Sequence, residues 1–317
     1  MSFKIDAFQE AMVIVSDFSA LTNLFCNHGG WVILHKGAVN PALLQAWKID
    51  RHTLAEECVL ANPGIDSGYL RLIRFEGLRQ QRMRSNDQSW DTGGIFDFNV
   101  RIASMDALYP QLTQLGWHGV SDPVAFELGQ SQVKEWLGIA ADRIRFAFIE
   151  RVSPPLQGWE HMRPISQIFN STQIVTDLEK ANDFFSRILG FKTVVRAGNL
   201  NTEPGANVLG LPLNRAHSEK YELVILQPDG EMRGSIELLQ YTDLRGRDFS
   251  QNNQPPNLGM LGLRFPVSNI EALQQHLIAN NVTICMPLCE AIVPPYGQCR
   301  LLAAKTPDGA WMEFIEY

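Results

Sequence analysis

The sequence predicts an α+β fold built from four tandem βαβββ modules, and two observations carry that expectation. First, one short pattern occurs four times: a β-rich run ending in Val, a polar or acidic start, an amphipathic stretch, then Gly or Asn followed by an apolar residue. The copies read AMVIVSDFSALTNLFCNHGGWVIL from Ala11, FDFNVRIASMDALYPQLTQLGWHGV from Phe96, STQIVTDLEKANDFFSRILGFKTVV from Ser171 and LGLRFPVSNIEALQQHLIANNVTI from Leu261. Val15, Val100, Val175 and Val267 mark equivalent points, at a spacing too long for a solenoid and suited to a small supersecondary unit. Second, 317 residues are enough for two domains at about 100–200 residues each.

The third copy gives the module order most clearly. Thr176 or Asp177 is positioned to cap a helix over Leu178–Leu189, in which Leu178, Ala181, Phe184, Phe185, Ile188 and Leu189 recur at helical spacing. Gly190 ends it by supplying a left-handed residue, and Phe191–Val195 resumes as a strand. Tyr221–Gln227 and Ser235–Tyr241 then form a hairpin around Pro228-Asp229-Gly230. The fourth copy closes in the same way, with Arg300–Ala304, the turn Thr306-Pro307-Asp308-Gly309 and Trp311–Tyr317; the first two copies are more degenerate. Residues 201–220 form a long Gly-, Pro- and Asn-rich loop of the kind that covers a site. Ser153-Pro154-Pro155 opens the expected linker, 153–163, which divides the chain into halves 1–152 and 164–317.

Composition narrows the function. Hydrophobic residues make up 45% and charged residues 19%, a balance that supports a packed core rather than disorder. A net charge of -7 repels a phosphate backbone, so nucleic acid is not an expected partner. No apolar run approaches the roughly 18–20 residues that span a bilayer, so no membrane role is expected. An odd number of cysteines, five, in a chain large enough to do without staples points to reduced thiols in a cytoplasm. Cys285, Cys289 and Cys299 lack a fourth ligand in series for a structural zinc site.

With IVTDLEKANDFFSRILGFKTV in its third copy and TPDGAWMEFIEY at its end, the chain resembles the vicinal oxygen chelate superfamily, which includes glyoxalase I, bleomycin-resistance proteins and extradiol dioxygenases. The resemblance covers essentially the whole chain, more strongly over 165–317. It implies that modules pair into two curled-sheet domains, each a cup, with a divalent metal held by inward positions on the first and last strands of each module. Carried over, those positions fall on Asn170 and Met260, where the metalloenzymes have histidine, and on Glu237 and Glu313. In the first half they fall on Glu10 and, less sharply, on Arg71, Ile95 and Ala147, with Asp97, Asn99 and Arg101 as an inward polar set.

An amide and a thioether in place of two imidazoles argue against an iron dioxygenase site. No cofactor is favoured; a divalent metal, if held at all, has Glu237 and Glu313 as its convincing ligands. Strand alternation instead places Glu237, Glu313, Arg264 and Asn170 in one cup, the second half's, with Met260 filling space and Tyr296 on a covering loop. Two carboxylates in an apolar pocket push at least one pKa upward, which suits general acid–base chemistry. Arg264 is suited to clamp a carboxylate or enolate. The expected activity is a glyoxalase-like lyase or isomerase acting on a small organic molecule, with Glu237 and Glu313 as catalytic groups. The alternative is a non-catalytic small-molecule binder of the resistance or sensing kind. His161 and His217 are within reach of the cup in sequence terms, but match no ligand position.

Overall fold

The computed structural model of the chain describes residues 2–86, 88–159, 162–198 and 204–317. After a short β1 (Lys4–Ile5), module one runs β2 (Glu10–Ile14), α1 (Ser19–Thr22), β3 (Val32–Ala38), α2 (Pro41–Ala46), β4 (Ala55–Ala61) and β5 (Tyr69–Phe75). Module two follows with β6 (Asp97–Ile102), α3 (Met105–Gln114), β7 (Val124–Leu128), β8 (Ser131–Ile139) and β9 (Arg145–Ser153). Module three comprises β10 (Ile165–Ile174), α4 (Leu178–Asp183), β11 (Lys192–Gly198), β12 (Tyr221–Gln227) and β13 (Ser235–Tyr241). Module four comprises β14 (Gly259–Ser268), α5 (Ile270–Ala279), β15 (Ile284–Val293), β16 (Gly297–Lys305) and β17 (Trp311–Glu316). The fourfold βαβββ order expected from the repeat is therefore present throughout, with one added helix, α2, inside module one.

Local chemistry explains the boundaries. The Asp177 side chain accepts from the Lys180 amide at 3.0 Å to start α4, and Gly190 at φ +83° ends the turn that follows. Ser104 and Asn269 cap α3 and α5 in the same way. The helix expected over Leu178–Leu189 changes character at Phe184, where a π-helical turn spans Phe184–Ile188; a matching turn, Asn23–His28, follows α1. The hairpin Tyr221–Gln227 with Ser235–Tyr241 forms as expected.

In every module the first strand lies parallel to the last, as β2 with β5 and β14 with β17. Modules then join through their first strands, antiparallel, and here the sequence expectation is corrected. The halves 1–152 and 164–317 do not each form a sheet. One sheet runs β15-β16-β17-β14-β2-β5-β4-β3, uniting modules one and four, and the other runs β11-β12-β13-β10-β6-β9-β8-β7, uniting two and three. The segment expected to link domains, 153–163, joins two modules of the same sheet. Its prolines marked irregular backbone, which a crossover from β9 past β6 to β10 requires as much as a domain boundary does.

The chain instead passes between sheets at 76–96 and 242–258, and these crossings bind each other. Phe249 N donates to Thr92 O at 2.9 Å, and Met83 N to Leu258 O at 2.8 Å. At Gly93, φ is +95° and a Cβ would lie 2.2 Å from the Ser250 nitrogen, so only glycine admits this contact.

The sheets bury their outer faces, with Ala11, Val13, Leu72, Phe98, Phe146 and Phe148, against Phe25, Leu112, Phe185 and Leu273 of the helical layer in one large core. Separate apolar clusters fill the concave faces: Met12, Ile14, Ile73 and Ile315 in the cup of modules one and four, and Val133, Leu137, Ile149, Leu223 and Leu239 in that of modules two and three. No helix among the described residues is long and apolar enough to cross a membrane, and the five cysteines are all free.

Because each sheet takes one module from the first half of the chain and one from the second, residues 164–317 expressed alone should show no cooperative unfolding transition, while the full chain unfolds cooperatively. Thermal unfolding of that fragment followed by circular dichroism checks this; a sharp transition near that of the intact protein would mean the second half folds without modules one and two.

Candidate functional site

The two cups differ in the charge they hold. In the cup of modules one and four, Glu10, Glu57, Arg71, Arg264 and Glu313 are all buried. Register brings Arg264 opposite Glu10 on one side and beside Glu313 on the other. Arg71 donates twice to Glu10, from Nε to Oε2 and from Nη2 to Oε1, both at 2.7 Å, and from Nη1 to Glu57 Oε2 at 2.5 Å. Arg264 donates from Nη1 to Glu10 Oε2 and from Nε to Glu313 Oε1, each at 2.6 Å. Tyr296 OH completes Glu10 at 2.7 Å, and Trp311 Nε1 donates to Glu313 Oε2 at 3.3 Å.

Burial pushes the Glu10 carboxyl up, but Arg71, Arg264 and their hydrogen bonds outweigh it and hold the group below the usual carboxylate range. Burial and the Glu10 charge together push the Tyr296 hydroxyl far up, so it stays a donor. Breaking such a buried network by removing one partner costs about 3–5 kcal/mol. Guanidinium groups already occupy the space between these carboxylates, so the donor set does not fit a metal ion.

This arrangement corrects four expectations. Glu313, Arg264 and Tyr296 lie together, but with Glu10 and Arg71 rather than with Glu237, which belongs to the other cup. Glu237 and Glu313 therefore cannot share a metal or a substrate. Arg264 is engaged by two carboxylates and is not available as a carboxylate clamp. Met260 faces away from the cup: the ladder shifts register between Met260 and Gly262, turning Met260 into the main core, where its sulfur accepts from the Arg145 amide at 3.4 Å.

The cup of modules two and three carries the other chemistry. Register sets Asp97 opposite Thr172 and Thr172 beside Glu237, with Asn99 opposite Asn170 in the adjacent row. Asn99 Nδ2 donates to Asp97 Oδ1 at 3.0 Å and to Thr172 Oγ1 at 3.3 Å. Asn170 Oδ1 accepts from the Ser171 amide at 2.8 Å, leaving its NH2 for Glu237. A third carboxylate, Glu135 on β8, is in register with Ile149, which neighbours Arg101. Thus Asn170 and Glu237 come together as expected, joined by the inward set Asp97, Asn99 and Arg101.

Each carboxyl is displaced upward. Burial, then the Asp97 charge, lift Glu237 to about 7 against the Asn170 hydrogen bond. Burial, then Glu237 and Asp97, lift Glu135 to about 8. Burial lifts Asp97 to about 6 although Thr172, Arg145 and Asn99 oppose it. Glu135 and Glu237 keep some solvent contact, as groups recessed in an open concavity do. Both amides act as donors to carboxylates here, and among the described residues no three His, Cys, Asp or Glu converge on a cation position. This donor set does not fit a metal either.

The long loop covers this cup, as its composition suggested. Leu211 is fully buried with Tyr221, Leu239 and Tyr241, Leu209 packs beside them, and Asn207 ties the loop by bonds to Leu211 N and O. Residues 201–203 of the expected loop and His161 lie outside the described residues, and His217 is exposed. A cavity of about 150 Å³ remains at the end of the cup between Trp90, Ile174, Tyr241 and Leu244. Glu135 was missed by sequence reasoning. Its signal was its phase: it alternates with Val133 and Leu137, which both line the cup.

Four βαβββ modules paired into two curled sheets define the vicinal oxygen chelate fold, and this chain has it. No family model and no curated protein matches the sequence. Among solved structures, glyoxalase I from Zea mays is similar at 13% identity, with 99% of this chain and 93% of that one covered and a TM-score of 0.60. A point mutant of the same maize enzyme gives 14% identity, 99% and 93% coverage and a TM-score of 0.62. A Bacillus subtilis protein provisionally named a dioxygenase gives 13% identity, 99% and 86% coverage and a TM-score of 0.63.

The raised carboxyls make stability pH-dependent with a definite sign. Between the ordinary carboxylate range and about pH 8 the folded protein holds more protons at these sites than the unfolded chain does, so stability falls as pH rises through that window. Glu135→Gln with Glu237→Gln should flatten the fall in Tm between about pH 5 and about pH 9, which differential scanning calorimetry measures. An unchanged slope would mean these groups ionise normally.

Proposed function

We propose that the cup of modules two and three binds a small organic molecule and moves a proton on it, as a lyase or isomerase of the glyoxalase-like kind, with Glu237 as the acid–base group. The observation that supports this reading is the presence of three electrostatically coupled carboxyls, at about 6, 7 and 8, on the concave face of one loop-covered cup. A group near 7 is present in both protonation states at neutral pH, so it can take a proton from a substrate and return it. Asn170 fixes the orientation of the Glu237 carboxyl. Asp97, held by Asn99 and Thr172, keeps the Glu237 pKa high while it carries charge; the set titrates as a coupled unit. Glu135 is the second proton store. Glu313 drops out of the catalytic assignment because it is committed to Arg264.

The proposed partner is a small molecule in a cytoplasm, rather than nucleic acid or a membrane. A second reading, a non-catalytic binder, is favoured by the apolar lining contributed by Leu211, Leu223, Leu239 and Tyr241. Proton–deuteron exchange separates the two. Small ketones, hydroxyketones and 2-oxo acids incubated with the protein in deuterated water, followed by proton NMR, should exchange the hydrogen next to a carbonyl in at least one compound. Glu237→Gln should slow that exchange by about 100-fold or more. Exchange equal in wild type and variant would remove Glu237 from the chemistry, and ligand binding without exchange in any compound would establish the binder.

A further inference from the structure

Strand alternation places Arg101 and Arg151 near each other on the inner face of the cup of modules two and three. Arg101 is on β6, in register with Ile149 of β9, and Arg151 lies two residues further along β9 in the same phase. Arg101 is only 8% exposed, and yet its Nε is buried with no hydrogen-bond partner. Its Nη2 reaches only the Met232 sulfur, at 3.9 Å, a weak acceptor. The guanidinium lies over the Phe169 ring, 4.9 Å from its centroid. The Arg151 Nε is also buried and without a partner. Neither arginine forms an ion pair among the described residues.

This arrangement is costly as it stands. Two like charges face each other, and burial together with Arg151 lowers the Arg101 pKa to about 10. The carboxyl that acts on Arg101 electrostatically is Glu135, and burial among other acids keeps Glu135 protonated at neutral pH, with its pKa at about 8. Among the described residues, Arg101 therefore has no ionised carboxylate as its partner. The contrast with Arg71, each of whose three guanidinium nitrogens donates to a carboxylate at 2.5–2.7 Å in the other cup, shows what a structurally committed arginine looks like in this protein.

We infer that Arg101 and Arg151 form a receptor for the carboxylate of an organic-acid substrate. Two guanidinium forks with open donors match a planar oxyanion, and the ligand supplies the charge that the cup lacks. Asp97 lies four residues from Arg101 on β6, about 13 Å along the strand, and the Arg101 guanidinium runs across the sheet to Phe169 and Met232 rather than back toward Asp97. That separation suits an elongated acid whose carboxylate is several bonds from its reacting carbon, with that carbon near Glu237. This inference rests on the proposed role of the same cup and assigns its substrate class.

The test uses the full-length protein with phenylacetate, phenylacetamide and inorganic phosphate as probes, titrated by isothermal calorimetry. Phenylacetate should bind, and the amide at least about 10-fold more weakly. Arg101→Met and Arg151→Gln should each weaken phenylacetate by about 10-fold or more, while Arg101→Met raises the Tm of the ligand-free protein, because it removes an uncompensated buried charge. Phosphate binding with equal strength would overturn the choice of carboxylate in favour of a phosphorylated ligand. Equal affinity for acid and amide, or a Tm lowered by Arg101→Met with phenylacetate binding unchanged, would overturn the receptor altogether. Proton exchange reports separately: arginine-dependent carboxylate binding without Glu237-dependent exchange would leave the receptor standing and defeat the acid–base reading.

Discussion

The antiparallel seam between β2 and β14 is the constraint on which the rest depends. It places residues 10–14 beside residues 259–264, so the two ends of the chain share a sheet and modules two and three are left to share the other. At one end the ladder sets Arg264 against Glu10, which makes the seam an ion pair as well as a run of backbone hydrogen bonds. Charges buried in a concave sheet must be balanced by whatever strands the pairing supplies. Here the pairing supplies Arg71 and Glu313 on either side, and each carboxylate of the network is paired with a guanidinium.

The second seam, β6 with β10, supplies no such balance. It brings Asp97 and Asn99 against Thr172 and Asn170, with Glu237 on the next strand, so the carboxyls meet amides and a hydroxyl instead of guanidinium groups. Burial then outweighs the charges of Arg145 and Arg84 on Asp97 and of Arg101 on Glu135, and Asp97, Glu135 and Glu237 move toward neutrality. The two cups share a backbone plan, but one has a charge pattern of paired carboxylates and guanidinium groups and the other holds carboxyls raised toward neutrality beneath a loop. The fold allows both, and the side chains at the seams decide which occurs.

Much of this was legible in the sequence. The repeat gave the module order, the Asp-Gly turns gave the hairpins, and strand alternation correctly sent Asp97, Asn99, Arg101, Asn170 and Glu237 into a concave face. Module pairing was not legible, because the signals that mark each module are local, whereas pairing is decided by contacts such as Arg264 with Glu10, 254 residues apart. That one error displaced the site: Glu313, Arg264 and Tyr296 were grouped with Glu237 because they share its half of the chain. Met260 failed for a different reason, a one-residue register shift that reverses side-chain phase without leaving a sequence mark.

The central claim is that one cup holds ionised, paired carboxylates and the other holds carboxyls near neutrality, and carbon-13 NMR of the labelled carboxyl groups across a pH titration tests it directly. The predicted result is that Asp97, Glu237 and Glu135 titrate in the range from about 6 to about 8, while Glu10 remains ionised down to the acid limit of the folded protein. Titration of all three at ordinary carboxylate values, or of Glu10 within the neutral range, would contradict it.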